Sequence, residues 1–287
     1  MPVTKDHDRP KSSGFFSGRN VVITGASSGI GADVALGFAE RGAKVALLAR
    51  RAEVLEELAT KIDDAGGLGV PIACDVTDRA QVFGAIGEAE QKLGPVDILV
   101  NSAGILIPGP VAEMPPENLE LMLKVNVIGM LHSMQAVLPA MKAAARGSIV
   151  NIASLAGRRG MSPLGGYCAT KFAVVGMTEA LRVELFGSGV NISLVMPGVI
   201  DTPMVSGGLK TVGSGLESYQ QSFAMPARWV TWAVFAAVTL GLSEVDVPLG
   251  AATAEKLASL FPGVTGAMLG IGNRLMELTG MLASKAK

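Results

Sequence analysis

Cysteine and histidine are nearly absent from this chain. Its two cysteines, Cys74 and Cys168, are too few for a disulfide framework and form no metal-binding spacing. They suit a reducing compartment, so a cytoplasmic protein is expected, and Cys168 reads as a small, half-buried hydrophobe. His7 and His132 are the only imidazoles, so a histidine-rich metal site is not expected. Charge is scarce as well: 17% of residues are charged and the net charge is −1. No basic field exists to hold nucleic acid by bulk electrostatics. No run reaches the roughly 18 clean apolar residues of a membrane-spanning helix. Trp229–Leu242 is too short, and Leu257–Met276 is broken by Pro262, several glycines and Arg274. Met1–Ser13 is polar, lacks the apolar core of a signal peptide, and places a disordered leader at residues 1–17.

What the chain does have is apolar sequence, 49% of its 287 residues, enough for one large α/β domain with a sizeable core. Apolar, β-rich runs at 20–24, 44–49, 69–74, 97–100, 148–152 and 191–196 alternate with helical patterns near 30–41, 52–65, 79–93, 117–145 and 169–186. Continuous apolar strands mean burial on both faces, which predicts a doubly wound (Rossmann) parallel sheet with helices on both sides. After Met204 the pattern changes. Residues 205–217 hold four glycines and read as a mobile loop within a substrate lid at 201–225. A helix is expected over 227–241 and a last edge strand over 245–249. The expected domain therefore spans 18–250, followed by an apolar extension at 251–287.

The strand ending at Thr24 runs into Gly25-Ala-Ser27-Ser28-Gly29-Ile30-Gly31, with a helix next. Glycines there permit a sharp turn, and the helix N-terminus favours a pyrophosphate. The second strand ends in Ala49-Arg50-Arg51. An acid at this place would bond the ribose of NAD; two guanidiniums favour the extra phosphate of NADP instead. Ser27 adds a hydroxyl.

Tyr167 and Lys171 stand four residues apart on one helical face. A free tyrosine titrates near pH 10, too high for a proton shuttle at neutral pH, and a neighbouring ammonium is expected to lower it. Ser154 follows a strand at its carboxyl end, where open α/β sheets place ligands.

These motifs, together with Asp75-Val76, Asn101-Ser-Ala103-Gly104, Asn126 and Pro197-Gly198, resemble those of the short-chain dehydrogenase/reductase family, compact type, in order and spacing over roughly residues 18–204. The resemblance implies an NADP(H)-dependent enzyme that moves hydride between the nicotinamide and a ketone or secondary alcohol. Asp75 would bond the adenine amine with Val76 packed nearby. Asn101, Ala103 and Gly104 would line the cofactor and stabilise the central strands, and Asn126 would hold a water linking Lys171 to solvent. Ser154 would orient the carbonyl and Tyr167 would donate the proton. Lys171 would bond the nicotinamide ribose, and Pro197, Gly198, Ile200 and Thr202 would contact the nicotinamide end.

The ending departs from the family. The Gly-rich turn that packs in tetramers is missing, and a loose likeness to lipid-handling members raises the expectation of an apolar substrate: a steroid, a retinoid or a long-chain 3-oxoacyl group. Residues 257–282 could rest on a bilayer, cover the substrate entrance or an oligomer contact, or complete the core. Helices 117–145 and 169–186 resemble those of the family's dimer interface, so a homodimer or homotetramer is expected. One rival reading is a 3-oxoacyl-carrier-protein reductase, with Arg158, Arg159 and Lys210 as a basic patch. Another is a non-catalytic NADPH-binding sensor or scaffold.

Overall fold

The computed structural model describes residues 14–210, 224–258 and 260–278. Seven parallel strands form one sheet: β1 (Asn20–Thr24), β2 (Lys44–Ala49), β3 (Leu68–Ala73), β4 (Ile98–Asn101), β5 (Gly147–Ile152), β6 (Val190–Pro197) and β7 (Glu244–Val247). Their spatial order is β3-β2-β1-β4-β5-β6-β7. The order reverses between β1 and β4, and that switch point opens a crevice at the carboxyl ends of the strands.

The strands at the middle of the sheet are mostly apolar and buried because both faces are covered, while edge strand β7 reads Glu-Val-Asp-Val. Helices α1 (Gly29–Ala39) and α2 (Ala52–Asp64) pack on one face, with Val21, Ile23, Val45 and Leu47 beneath them. Helices α3 (Arg79–Leu93), α5 (Gly129–Ala143) and α6 (Gly165–Glu184) cover the other, over Val22, Leu48, Leu99 and Leu194. Helix α4 (Pro116–Leu123) leads into α5 through a π-helical segment, Lys124–Ile128. Pro116–Ala143 is long and apolar enough by composition to cross a membrane, but 44% of its most apolar window is buried within the molecule.

The last residues of the expected leader, 14–17, pack onto the domain. Phe16, one of them, is buried, and its ring meets Phe38 at 4.7 Å and Phe235 at 5.1 Å. Residues 1–13 lie outside the described residues.

Two elements differ from the sequence reading, and a third falls where it was expected. Helix α6 begins at Gly165, so Tyr167 sits inside its first turn and not before it. Residues 203–210, assigned partly to a loop, form helix α7 (Pro203–Lys210); the rest of that loop, 211–217, lies outside the described residues. Helix α8 (Ala227–Leu240) returns to pack on α1, where Thr231 and Phe235 close on Gly37.

The extension forms helices α9 (Ala251–Ala258) and α10 (Pro262–Leu278). Helix α9 is docked, with Ala252 fully buried and its amide donating to Asp246 Oδ2 at 2.9 Å. Just before and along α10, Phe261, Val264, Met268 and Ile271 are 62–68% exposed, so these side chains do not complete the core of the chain.

Candidate active site

The crevice holds a cleft of about 290 Å³ walled by the loops that follow β1 to β6. At one end is the turn after β1. Gly25 has φ of +71°, and a Cβ on it would lie 2.7 Å from Ala103 Cα. A Cβ on Gly31 would lie 2.4 Å from the Gly25 carbonyl oxygen. Only glycine permits this approach of turn, helix and neighbouring strand. Gly31 itself does not line the cleft; it lets α1 reach it. Ser28 is the N-cap of α1, yet its side chain caps none of that helix's amides. With Gly29 and Ile30 at the cleft wall, this end of the helix fits an anion.

Arg51 reaches across from the end of β2. Its Nη2 donates to Ser27 Oγ at 2.8 Å, Ser28 Oγ at 3.2 Å and the Ser27 carbonyl at 3.3 Å. Arg50 lies exposed beside it on the same wall. Asp75 has Oδ1 occupied by the Thr77 amide and hydroxyl, at 2.9 and 2.8 Å. Its carboxylate and Val76 border the cleft next to Cys74, whose thiol burial pushes up to about 11.

At the other end Ser154, Tyr167 and Lys171 face the cleft together. Ser154 Oγ donates to the Pro197 carbonyl at 3.2 Å and accepts from the Ala156 amide at 3.1 Å. Lys171 is buried, with Nζ donating to the Ile152 carbonyl at 2.9 Å and lying 5.7 Å from the Tyr167 ring centre. Burial holds its ammonium down to about 8. Burial also pushes the Tyr167 phenol up to about 12, against a smaller lowering by its hydrogen bond with Ser154. The sequence reading expected the ammonium to lower Tyr167; in the folded chain desolvation wins.

Two predicted residues stand behind the wall. Asn126 lies in the π-helical segment, where its Oδ1 accepts from the Ile105 amide at 2.8 Å. Its Nδ2 donates to the Ile105 carbonyl and to Thr170 Oγ1, both at 3.0 Å. Thr170 in turn donates to the Tyr167 carbonyl at 2.8 Å. Asn101 donates to Asn151 Oδ1 at 2.9 Å and accepts from Ser133 Oγ at 2.6 Å, while Asn151 Nδ2 donates to Thr178 Oγ1 at 2.9 Å. Ser133, Asn151 and Thr178 carry no sequence motif of their own, and their part in this buried chain was not foreseen. The remaining predicted residues, Ala103, Gly104, Pro197, Gly198, Ile200 and Thr202, all border the cleft. Apolar walls that the sequence did not single out come from Ile105, Val125, Met204 and Val205.

Arg158 and Arg159 do not form a free basic patch. Arg158 Nη2 donates to Glu244 Oε2 at 2.7 Å and Glu179 Oε1 at 3.0 Å, and Arg159 pairs with Glu255. The Lys210 side chain lies outside the described residues.

The model of the short chain dehydrogenase family matches residues 19–211. A sorbitol dehydrogenase of Cereibacter sphaeroides is 39% identical over 187 residues, covering 65% of this chain and 72% of that protein. A glycine betaine reductase of Emericella nidulans is 40% identical over 218 residues; the match takes in 76% of this chain but spans only 17% of that protein. Among solved structures, a short-chain type dehydrogenase/reductase from Mycobacterium marinum superposes with a TM-score of 0.74 at 32% identity, covering 80% of this chain and 94% of the other. The chain belongs to the short-chain dehydrogenase/reductase family, nicotinamide-dependent oxidoreductases that interconvert alcohols and carbonyls.

Proposed function

We propose that this chain transfers hydride between NADP(H) and an apolar ketone or secondary alcohol, with Tyr167 as the proton-transferring group. The observation that carries this is the convergence of Ser154, Tyr167 and Lys171 on the cleft that Arg51, Ser27 and the Gly25–Gly31 turn enter from the other end. The close approaches at Gly25 and Gly31 draw the turn and the uncapped start of α1 up to the cleft, so the residues fit a pyrophosphate. Arg50 and Arg51 would take the 2′-phosphate, Asp75 the adenine amine, and Gly104, Pro197, Gly198, Ile200 and Thr202 the nicotinamide end. Bound nicotinamide supplies the hydride chemistry.

The chain's own groups manage the oxygen. Ser154 exchanges its 3.2 Å bond to Pro197 for the substrate oxygen and orients it. Tyr167, protonated at neutral pH as any phenol is and held so more firmly by its burial, donates its proton to that oxygen as the carbonyl is reduced. The phenolate left behind is stabilised by the Lys171 ammonium, which also reaches the nicotinamide ribose. With the Asn126 side chain held by Ile105 and Thr170, the water-holding role falls to its backbone carbonyl in the π-helical segment.

The names of the two relatives point to polar molecules; the proposal of an apolar one rests on this chain's own mouth. Ile105, Met204 and Val205 line the cleft, and Val111 and Met161 stand exposed near the start of α6. A steroid, a retinoid or a long-chain 3-oxoacyl group meets such walls. A homodimer is supported by Phe172, Val183 and Phe186, which stand exposed on and just after α6. The exposed apolar side of α10 supports peripheral contact with a lipid surface.

The test of the reading is Tyr167→Phe. Turnover of apolar ketones should disappear while NADPH still binds with near-native affinity. Turnover that persists would sink the assignment.

A further inference from the structure

Ser154 and Tyr167 sit at the two ends of one linker. It leaves β5, makes a short 3₁₀ turn at Leu155–Gly157, and enters α6 at Gly165. Local bonds hold its ends: the Gly157 amide donates to the Ser154 carbonyl at 2.9 Å, and the Cys168 amide to the Leu164 carbonyl at 2.8 Å. Its middle, Arg158 and Arg159, is held from outside. The Arg158 side chain is only 14% exposed and the Glu244 carboxylate it meets, at the start of β7, 19%. Lys256 of α9 closes on the same carboxylate, at 3.0 and 2.9 Å from its two oxygens. Arg159, 16% exposed, pairs with Glu255, also on α9. Burial would raise the Glu244 carboxyl, but Lys256 and Arg158 together hold it below the usual carboxylate range. Helix α9 is thereby bonded to the catalytic linker by one direct ion pair and one carboxylate-bridged contact, and anchored to β7 through Ala252 and Asp246.

We propose that α9 is a clamp on the catalytic linker: Arg159 with Glu255, and Arg158 with Glu244 and Lys256, are positioning residues that fix Ser154 relative to Tyr167. The proposal rests on the reading of Ser154 and Tyr167 given above. It makes the apolar extension part of the active-site machinery and not an appendage. Pairs as shielded as these are screened less by salt than surface pairs, and losing one partner leaves a charge without its counterpart. A small misplacement of a catalytic group is enough to slow turnover by roughly tenfold or more.

The test compares the full-length chain with Glu255→Gln, Arg159→Gln, and the exchanged pair Arg159→Glu with Glu255→Arg. Two readouts are taken: hydrogen exchange of the peptide spanning 154–167, and NADPH oxidation with 2-decalone, a rigid apolar ketone. Each single variant should speed exchange in the linker by roughly tenfold, leave the β1–β6 strands as protected as in the parent, and lower kcat more than it changes NADPH affinity. The exchanged pair should restore linker protection and kcat. Three results would overturn the clamp: unchanged linker exchange, exchange that rises equally across the sheet, or no recovery in the exchanged pair. If a single variant fails to fold, Glu255→Asp takes its place, with the same expectation in milder form. Hydrogen exchange decides the clamp even if 2-decalone is not turned over. Turnover surviving in Tyr167→Phe would refute the catalytic reading separately, leaving the linker result to stand on its own.

Discussion

Lys171 shows most plainly how chemistry and stability oppose each other at single residues. Its ammonium is buried against one carbonyl, and its pKa falls from 10.5 to about 8. Below pH 8 both folded and unfolded chains hold the proton, and the folded state carries the full cost of burying the charge. Between about 8 and 10.5 the unfolded chain binds more protons, so this residue's contribution makes stability rise with pH. A shift of that size corresponds to about 3 kcal/mol, less about 1 kcal/mol for the Ile152 carbonyl left unpaired by a replacement. Lys171→Met should therefore be more stable at pH 7 by about 2 kcal/mol while losing turnover, the gain shrinking as pH rises above 8. Denaturant unfolding at pH 7 and pH 10 measures this; a variant no more stable than the parent at pH 7 contradicts it. On the opposite side of the cleft, Arg50→Ala with Arg51→Ala should weaken NADPH by at least tenfold, each guanidinium–phosphate bond being worth about 1.5–3 kcal/mol. NADH should be weakened much less, because Arg51 serves that cofactor only through its grip on Ser27 and Ser28. Equal losses for both cofactors, measured by titration, would refute the phosphate role.

At the scale of elements, the strands were legible because burial on both faces writes a continuous apolar run, and Asn20–Thr24 and Lys44–Ala49 fall where the pattern places them. Many of the motif residues were legible for a related reason: Gly25, Arg50, Asp75, Asn101, Ser154 and Pro197 fall at or just after a strand's carboxyl end, whereas Tyr167 and Lys171 lie within α6. The π-helical segment at Lys124–Ile128 was not, because its hydrogen-bond slip has no local sequence signature; there the Asn126 side chain fastens to Ile105, a residue distant in sequence. Glycines also misled at two places. Gly165 and Gly166 open α6, where Val111 and Met114 crowd them, and Gly207 and Gly208 lie within α7. Helix α10 raises the converse question, why a helix forms at all. Gly263, Gly266, Gly270 and Gly272 each cost it about 1 kcal/mol relative to alanine, and its bulky side chains at 261, 264, 268 and 271 gain nothing by facing water. A lipid surface would repay both. The full chain should co-float with zwitterionic phospholipid vesicles, and Met268→Glu with Ile271→Glu should abolish flotation without changing kcat. A parent chain that stays at the bottom of the gradient refutes the lipid contact.

For the whole molecule, the topology explains why residues as far apart in sequence as Gly25 and Val205 share one cleft: parallel strands put the loops after six successive strands at the same edge, and the reversal between β1 and β4 opens the crevice between them. A polar pin at the centre of the sheet, Thr24 to the amides of Ser102 and Ala103, binds the two halves across the switch point, and Asn101 to Asn151 extends it from β4 to β5. The packed residues 14–17 reinforce this from outside, with Phe16 seated between Phe38 of α1 and Phe235 of α8. Such an assembled cleft has a thermodynamic corollary. No strand among the first six can detach and leave a complete binding surface, so a ligand selects the globally folded state over every partly open one. Cofactor at a hundredfold excess over its dissociation constant would add about 2.7 kcal/mol to the whole domain at once. The dinucleotide would then act as a reversible cross-link between the two halves of the sheet, and the chain's lifetime in a cell would follow the cofactor pool.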